Sequence, residues 1–80
     1  MNLYWTKHFM TGAIEFYRAQ FGPWVTEAIP CDDNDGYTFQ VFEKGHLCIQ
    51  EDVESSQCAK LKAEAWVTDR IAAIMAKAGI

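Results

Sequence analysis

The spacing of apolar residues changes several times along the chain, and each change marks an element. Asn2 to His8 carries Leu3, Tyr4 and Trp5, the branched and aromatic bulk expected of a first strand. After Thr11, a residue suited to capping a helix, Ala13, Ile14, Tyr17 and Phe21 recur every three or four positions, with Glu15 early in the segment. That spacing predicts an amphipathic helix, ended by Gly22 and by Pro23, which cannot continue it. Trp24 to Ile29 reads as a second strand closed by Pro30. Cys31 to Gly36 is a loop by composition, because Asx side chains bond their own backbone and glycine tolerates positive φ. Tyr37 to Phe42 then alternates, Tyr37, Phe39 and Val41 against Thr38, Gln40 and Phe42. Glu43 to His46 makes a tight connection and Leu47 to Gln50 returns as the partner strand.

The last third supports two readings. Ser56 to Ala78 is rich enough in Ala, Lys and Glu to form one long helix. On a helical wheel, however, Val67, Ile71, Ile74, Met75 and Ala78 share a face from which Cys58, Leu61 and Trp66 fall away. At period two, Leu61, Ala63, Ala65 and Val67 line one side and Lys60, Lys62 and Glu64 the other, which predicts a strand over Lys60 to Val67. Thr68 or Asp69 then caps a final helix ending at Gly79. The favoured fold is α+β: a curved, mostly antiparallel sheet of four to five strands, one helix after strand 1, and a C-terminal helix. All 80 residues fall in one domain.

Composition narrows the functional classes. Half of the residues are apolar and 14% aromatic, which separates the chain from disordered sequences that cannot offset their ordering entropy. The longest apolar run near the end, Ile71 to Ala76, falls far short of the roughly 20 residues of a membrane span, so no membrane partner is expected. Met1 to Thr11 lacks the pattern of a signal peptide, and three cysteines without a CxxC motif do not make a disulfide framework. A reduced, cytoplasmic domain is the expectation. A net charge of -4 argues against direct nucleic-acid binding, which rests on basic patches.

Several side chains are of types that carry chemistry. Cys31, His46, Cys48 and Cys58 are zinc-ligand types, but only His46 and Cys48 are closely spaced, whereas structural zinc uses two short ligand pairs. Aligning Gly36 with the sixth position of a calcium loop puts Phe42 where a bidentate glutamate is required. Cys48 beside His46 lacks an orienting third group for nucleophilic catalysis. Buried or half-buried thiols and a solvated turn account for these residues. Neither a cofactor nor a catalytic set is expected.

Charge distribution is the strongest functional signal. Seven of the eleven carboxylates, Asp32, Asp33, Asp35, Glu43, Glu51, Asp52 and Glu54, fall between Cys31 and Glu54, where only Lys44 opposes them. That stretch therefore carries -6, while the remainder of the chain carries +2. A solvated loop pair that keeps a small protein soluble is the plain reading. The functional reading is an acidic surface that docks on a basic protein groove, with Phe42 and Trp66 as aromatic anchors if they share that surface. The expected partner is a basic protein surface such as that of a nucleic-acid-binding effector complex, and the expected state is a monomer or weak homodimer. In profile, being small, acidic and without a catalytic set, the chain resembles phage-encoded inhibitors of host defence, anti-CRISPR proteins among them.

A second resemblance is local. Ala13-Ile-Glu-Phe-Tyr-Arg-Ala-Gln-Phe-Gly22 looks like the first helix of a glyoxalase-type, or vicinal oxygen chelate, module. Tyr37 to Asp52 is similar to that module's closing hairpin, and Ala65 to Ile80 resembles the first strand and helix of a second module. The resemblance implies a sheet curled around a divalent metal, with Glu51 and Glu64 at ligand positions and a dimer acting on a small metal-chelated ligand. Asn2 and Tyr4 stand where the family places an inward-facing histidine.

Overall fold

The computed structural model describes residues 2–10, 14–31 and 36–79. These form strands β1 (Thr6–Met10), β2 (Ile14–Phe21), β3 (Trp24–Pro30), β4 (Tyr37–Glu43) and β5 (His46–Val53), followed by helix α1 (Ser56–Lys77). The strands lie side by side in chain order and every neighbouring pair is antiparallel. The fold is thus α+β, a five-stranded meander with one C-terminal helix laid across it. Among the described residues no helix is long and apolar enough to cross a membrane.

The helix expected after the first strand is instead strand β2. Ile14 to Phe21 also alternates, with Phe16 and Arg18 directed to one face and Tyr17 and Ala19 to the other. The Gly22-Pro23 pair that reads as a helix stop is a two-residue hairpin turn, since Phe21 pairs directly with Trp24. Gly22 has φ +57°, and proline holds the next φ negative, the combination a type II′ turn requires. Thr11 and Ala13, the expected cap and first helical residue, lie outside the described residues. The first strand also starts later than expected: residues 2–5 form no strand, and the backbone N–H of Leu3 donates to Glu64 Oε2 at 2.9 Å.

The strand expected over Lys60 to Val67 is the first half of α1. Ser55 is its N-cap, its hydroxyl accepting the Cys58 N–H at 3.1 Å. The buried stripe is Ala59, Ala63 and Val67, spaced four residues apart and fully covered, with Ile71 packed beside them. Bulk-weighted patterning misses this stripe because it is built of small residues. Two alanines bring the helix backbone close to the sheet, while Leu61 remains 58% exposed and Trp66 packs at the flank. Thr68, the alternative cap, donates its hydroxyl to the Glu64 carbonyl at 2.8 Å inside the helix.

The core lies between α1 and the middle of the sheet. Trp24, Thr26 and Ala28 of β3, Phe39 and Val41 of β4, and Ala19 of β2 face the helix, and Leu3 fills in beside them. The one buried polar side chain among the described residues, Thr26, donates its hydroxyl to the Ala19 carbonyl at 3.2 Å. Helix α1 packs chiefly on β3, β4 and β5, and it meets β2 at Ala19 and at Tyr17, whose ring lies 3.7 Å from Lys60 Nζ. Among the described residues the opposite face of the sheet carries no helix. Beyond Ile71 every described helical residue is exposed, so the last two turns run past the end of the sheet.

Candidate functional site

Register places one end of the sheet under the acidic stretch. Pro30 pairs with Tyr37 and Tyr37 with Val53, so β3 ends, β4 begins and β5 ends in one row. The loop that leaves β3 is closed at its base by the Cys31 N–H donating to the Gly36 carbonyl at 2.9 Å. Asp52 lies one position back on β5, where its Oδ1 accepts the Thr38 hydroxyl at 2.7 Å. Thr38 Oγ1 is in turn 3.4 Å from Cys31 Sγ. Glu54 follows Val53 and is exposed. Asp52, Glu54 and both anchors of the acidic loop therefore converge at one end. Asp32, Asp33 and Asp35 themselves lie outside the described residues.

Other residues of the expected surface are placed elsewhere. Glu51 faces the helix side and binds Lys62 Nζ at 2.6 Å. Its carboxylate, through the hydrogen bond and its charge, holds the exposed Lys62 ammonium above its ordinary pKa. Glu43 sits at the far end of β4, where its Oε1 accepts the Trp24 indole N–H at 2.7 Å and lies 3.6 Å from Arg70 Nε. Phe42 is half-buried on the helix-free face and pairs with Leu47, and Trp66 is on α1 against the core. The aromatic anchors and the acidic end are thus separate surfaces.

The helix-free face carries a polar band that the sequence reading did not isolate. Arg18 donates from Nε and Nη2 to Glu27 Oε2 at 3.0 and 2.7 Å, and Gln40 Nε2 donates to Glu27 Oε1 at 2.7 Å. These residues meet because Arg18 pairs with Glu27 and Glu27 with Gln40 in adjacent registers. The Glu27 side chain is only 12% exposed although no helix covers it, since its neighbours fold over it. Arg18 also lies over the Phe16 ring at 5.5 Å, and Phe16 stacks on His8 at 5.4 Å. The missed signal was the period-two alternation within Ile14 to Phe21.

The candidate metal ligands and nucleophiles are dispersed or engaged. Glu64 Oε2 accepts the Leu3 N–H and the Trp5 indole N–H, the latter at 3.1 Å, and Glu51 is committed to Lys62. Cys48 is exposed and Cys31 and Cys58 are half-buried, all three as free thiols. A register irregularity falls beside His46 and Cys48, between the Val41 and Phe42 pairings. Among the described residues no group of three or more His, Cys, Asp or Glu side chains is arranged to hold a metal ion. No family model, curated protein or solved structure matches the chain.

Proposed function

We propose that this protein is a non-enzymatic binding protein whose acidic sheet end docks in a basic groove of a partner protein. The observation that carries the proposal is the convergence of Asp52, Glu54 and the anchors of the 31–36 loop, whose sequence adds Asp32, Asp33 and Asp35. Lys62 neutralises Glu51 nearby, which leaves the terminal carboxylates to act on a partner. Carboxylates concentrated at one end of a small rigid sheet present the charge that phosphates present to a nucleic-acid-binding groove. The fitting partner is a nucleic-acid-binding effector in the cytoplasm, and occupying its groove makes this protein an inhibitor of the anti-CRISPR type. The docked end carries no aromatic anchor among its described exposed residues, so affinity depends on charge and falls with salt.

The test is binding to purified RNA-guided effector complexes by interferometry, comparing wild type with the Asp52→Lys, Glu54→Lys double variant. Both positions are exposed, so the fold should persist, as circular dichroism will show. The proposal expects wild-type binding to a complex at low salt and loss of at least tenfold in affinity in the variant. Equal affinity of the two proteins contradicts it.

A further inference from the structure

The two edges of the sheet differ in how they are guarded. Edge strand β5 carries a register irregularity and the carboxylates Glu51 and Asp52, features that discourage pairing with another chain. Edge strand β1 has a single charged residue, Lys7, and neither a proline nor a carboxylate, and its register with β2 is unbroken from Thr6 to Met10. Around it lie Phe9, 65% exposed, with Met10 and Ile14 also exposed. Helix α1 meets this hairpin at Tyr17, whose ring lies 3.7 Å from Lys60 Nζ, and leaves Phe9, Met10 and Ile14 exposed.

We infer that β1 pairs antiparallel with β1 of a second copy, centred on His8, joining two sheets into one of twice the width. The occupant is a second copy because β1 is complementary to itself in this register. His8 faces His8 across the two-fold axis, Thr6 faces Met10, and Lys7 faces Phe9. Each Lys7 ammonium is thereby placed beside an aromatic ring, a favourable cation–π arrangement that occurs twice by symmetry. Within each chain Phe9 pairs with Glu15, so the row from Lys7 continues across the new ring to a carboxylate of the other copy. Lys7 already lies 3.6 Å from its own Glu15, and the join adds a second carboxylate of opposite charge to its row. On the other face the His8–Phe16 stack meets its symmetry mate and forms a continuous row of four rings. No two like charges of β1 oppose one another, other than the two central imidazoles when protonated.

A five-residue strand pair with these side chains is at the small end of the range for specific interfaces, below the standard ~800 Å² per partner, so the dimer is a dissociating one. It leaves β5 and the acidic end free in both copies, and it stands whether or not that end docks on a partner.

The experiment is disulfide trapping combined with sedimentation. In a Cys48→Ser background, which removes the exposed thiol, His8→Cys places two sulfurs opposite each other on the two-fold axis. Mild oxidation at high protein concentration is expected to give a covalent dimer for His8→Cys and at least tenfold less for Leu47→Cys on the other edge. In sedimentation equilibrium up to 1 mM, the chain with native His8 is expected to self-associate, and His8→Asp to weaken association at least tenfold by setting two carboxylates face to face. A monomer throughout, association untouched by His8→Asp, or equal trapping at positions 8 and 47 overturns the inference. Circular dichroism of each variant separates a lost interface from a lost fold.

Discussion

The indole Nε1–H of Trp24 donates to Glu43 Oε1 at 2.7 Å, joining the start of β3 to the end of β4 beneath the point where α1 leaves the sheet. Trp24 is buried, so deletion of the acceptor strands an indole N–H inside the protein. Glu43→Ala should therefore lower stability by about 1–3 kcal/mol in urea unfolding. Glu43→Gln keeps an acceptor oxygen and loses only the long contact to Arg70, so it should cost well under half as much. Equal effects would place the energy in the ion pair.

The close seat of α1 on the sheet makes Ala63 the more sensitive of two neighbouring positions. Ala63 is fully buried, and Ala63→Leu forces helix and sheet apart, with an expected loss of about 1–3 kcal/mol. Leu61, at 58% exposed, has little to lose, and Leu61→Ala should shift stability by no more than about 0.5 kcal/mol. Chemical denaturation of both variants checks the orientation of the helix face.

That contrast also explains what the sequence made legible. The β4–β5 hairpin was readable because Tyr37 to Phe42 alternates cleanly and a short polar connection follows. β2 was not, because Ile14, Tyr17 and Phe21 satisfy a helical period while Ile14, Phe16 and Arg18 satisfy an alternating one. Gly22-Pro23 tipped the balance the wrong way, as the same dipeptide ends a helix or turns a hairpin. The long helix is the less favoured reading of the sequence because Cys58, Leu61 and Trp66 fall off its bulky apolar face, while the stripe it buries is largely alanine, which carries little hydrophobic signal. Of the acidic surface, the clustering of charge in sequence was legible. The diversion of Glu43 to Trp24 and of Glu51 to Lys62 was not, since both partners are distant in sequence.

The β4–β5 turn holds a removable strain. Lys44 has φ +50° and Gly45 φ +85°, so both central residues are left-handed, as a type I′ turn requires. A lysine there is sterically disfavoured, whereas asparagine tolerates the conformation. Lys44→Asn should raise stability by about 0.5–1 kcal/mol, visible as a higher urea midpoint with unchanged slope.

Lys62 provides a pH prediction. Its pKa stands above the ordinary 10.5 because Glu51 bonds and attracts the ammonium. A raised folded-state pKa means that the stabilising contribution is fully present below the unfolded-state value and is lost as pH rises through the folded one. Stability should therefore begin to decline from this group only above about pH 10.5. Glu51→Gln should bring the Lys62 pKa back toward its ordinary value, read from the side-chain carbon resonances in an NMR titration. An unchanged pKa would remove Glu51 as the cause.

The central claim, that the acidic end of the sheet occupies a basic groove, is tested most directly by displacement of nucleic acid. Labelled target DNA bound to a purified RNA-guided effector is titrated with this protein at 50 mM and at 500 mM salt. The account predicts DNA release at the lower salt, loss of release at the higher, and no release by an Asp32→Lys, Asp33→Lys, Asp35→Lys variant that remains folded. Release that survives both high salt and the three reversals, or no release from any effector at low salt, contradicts it.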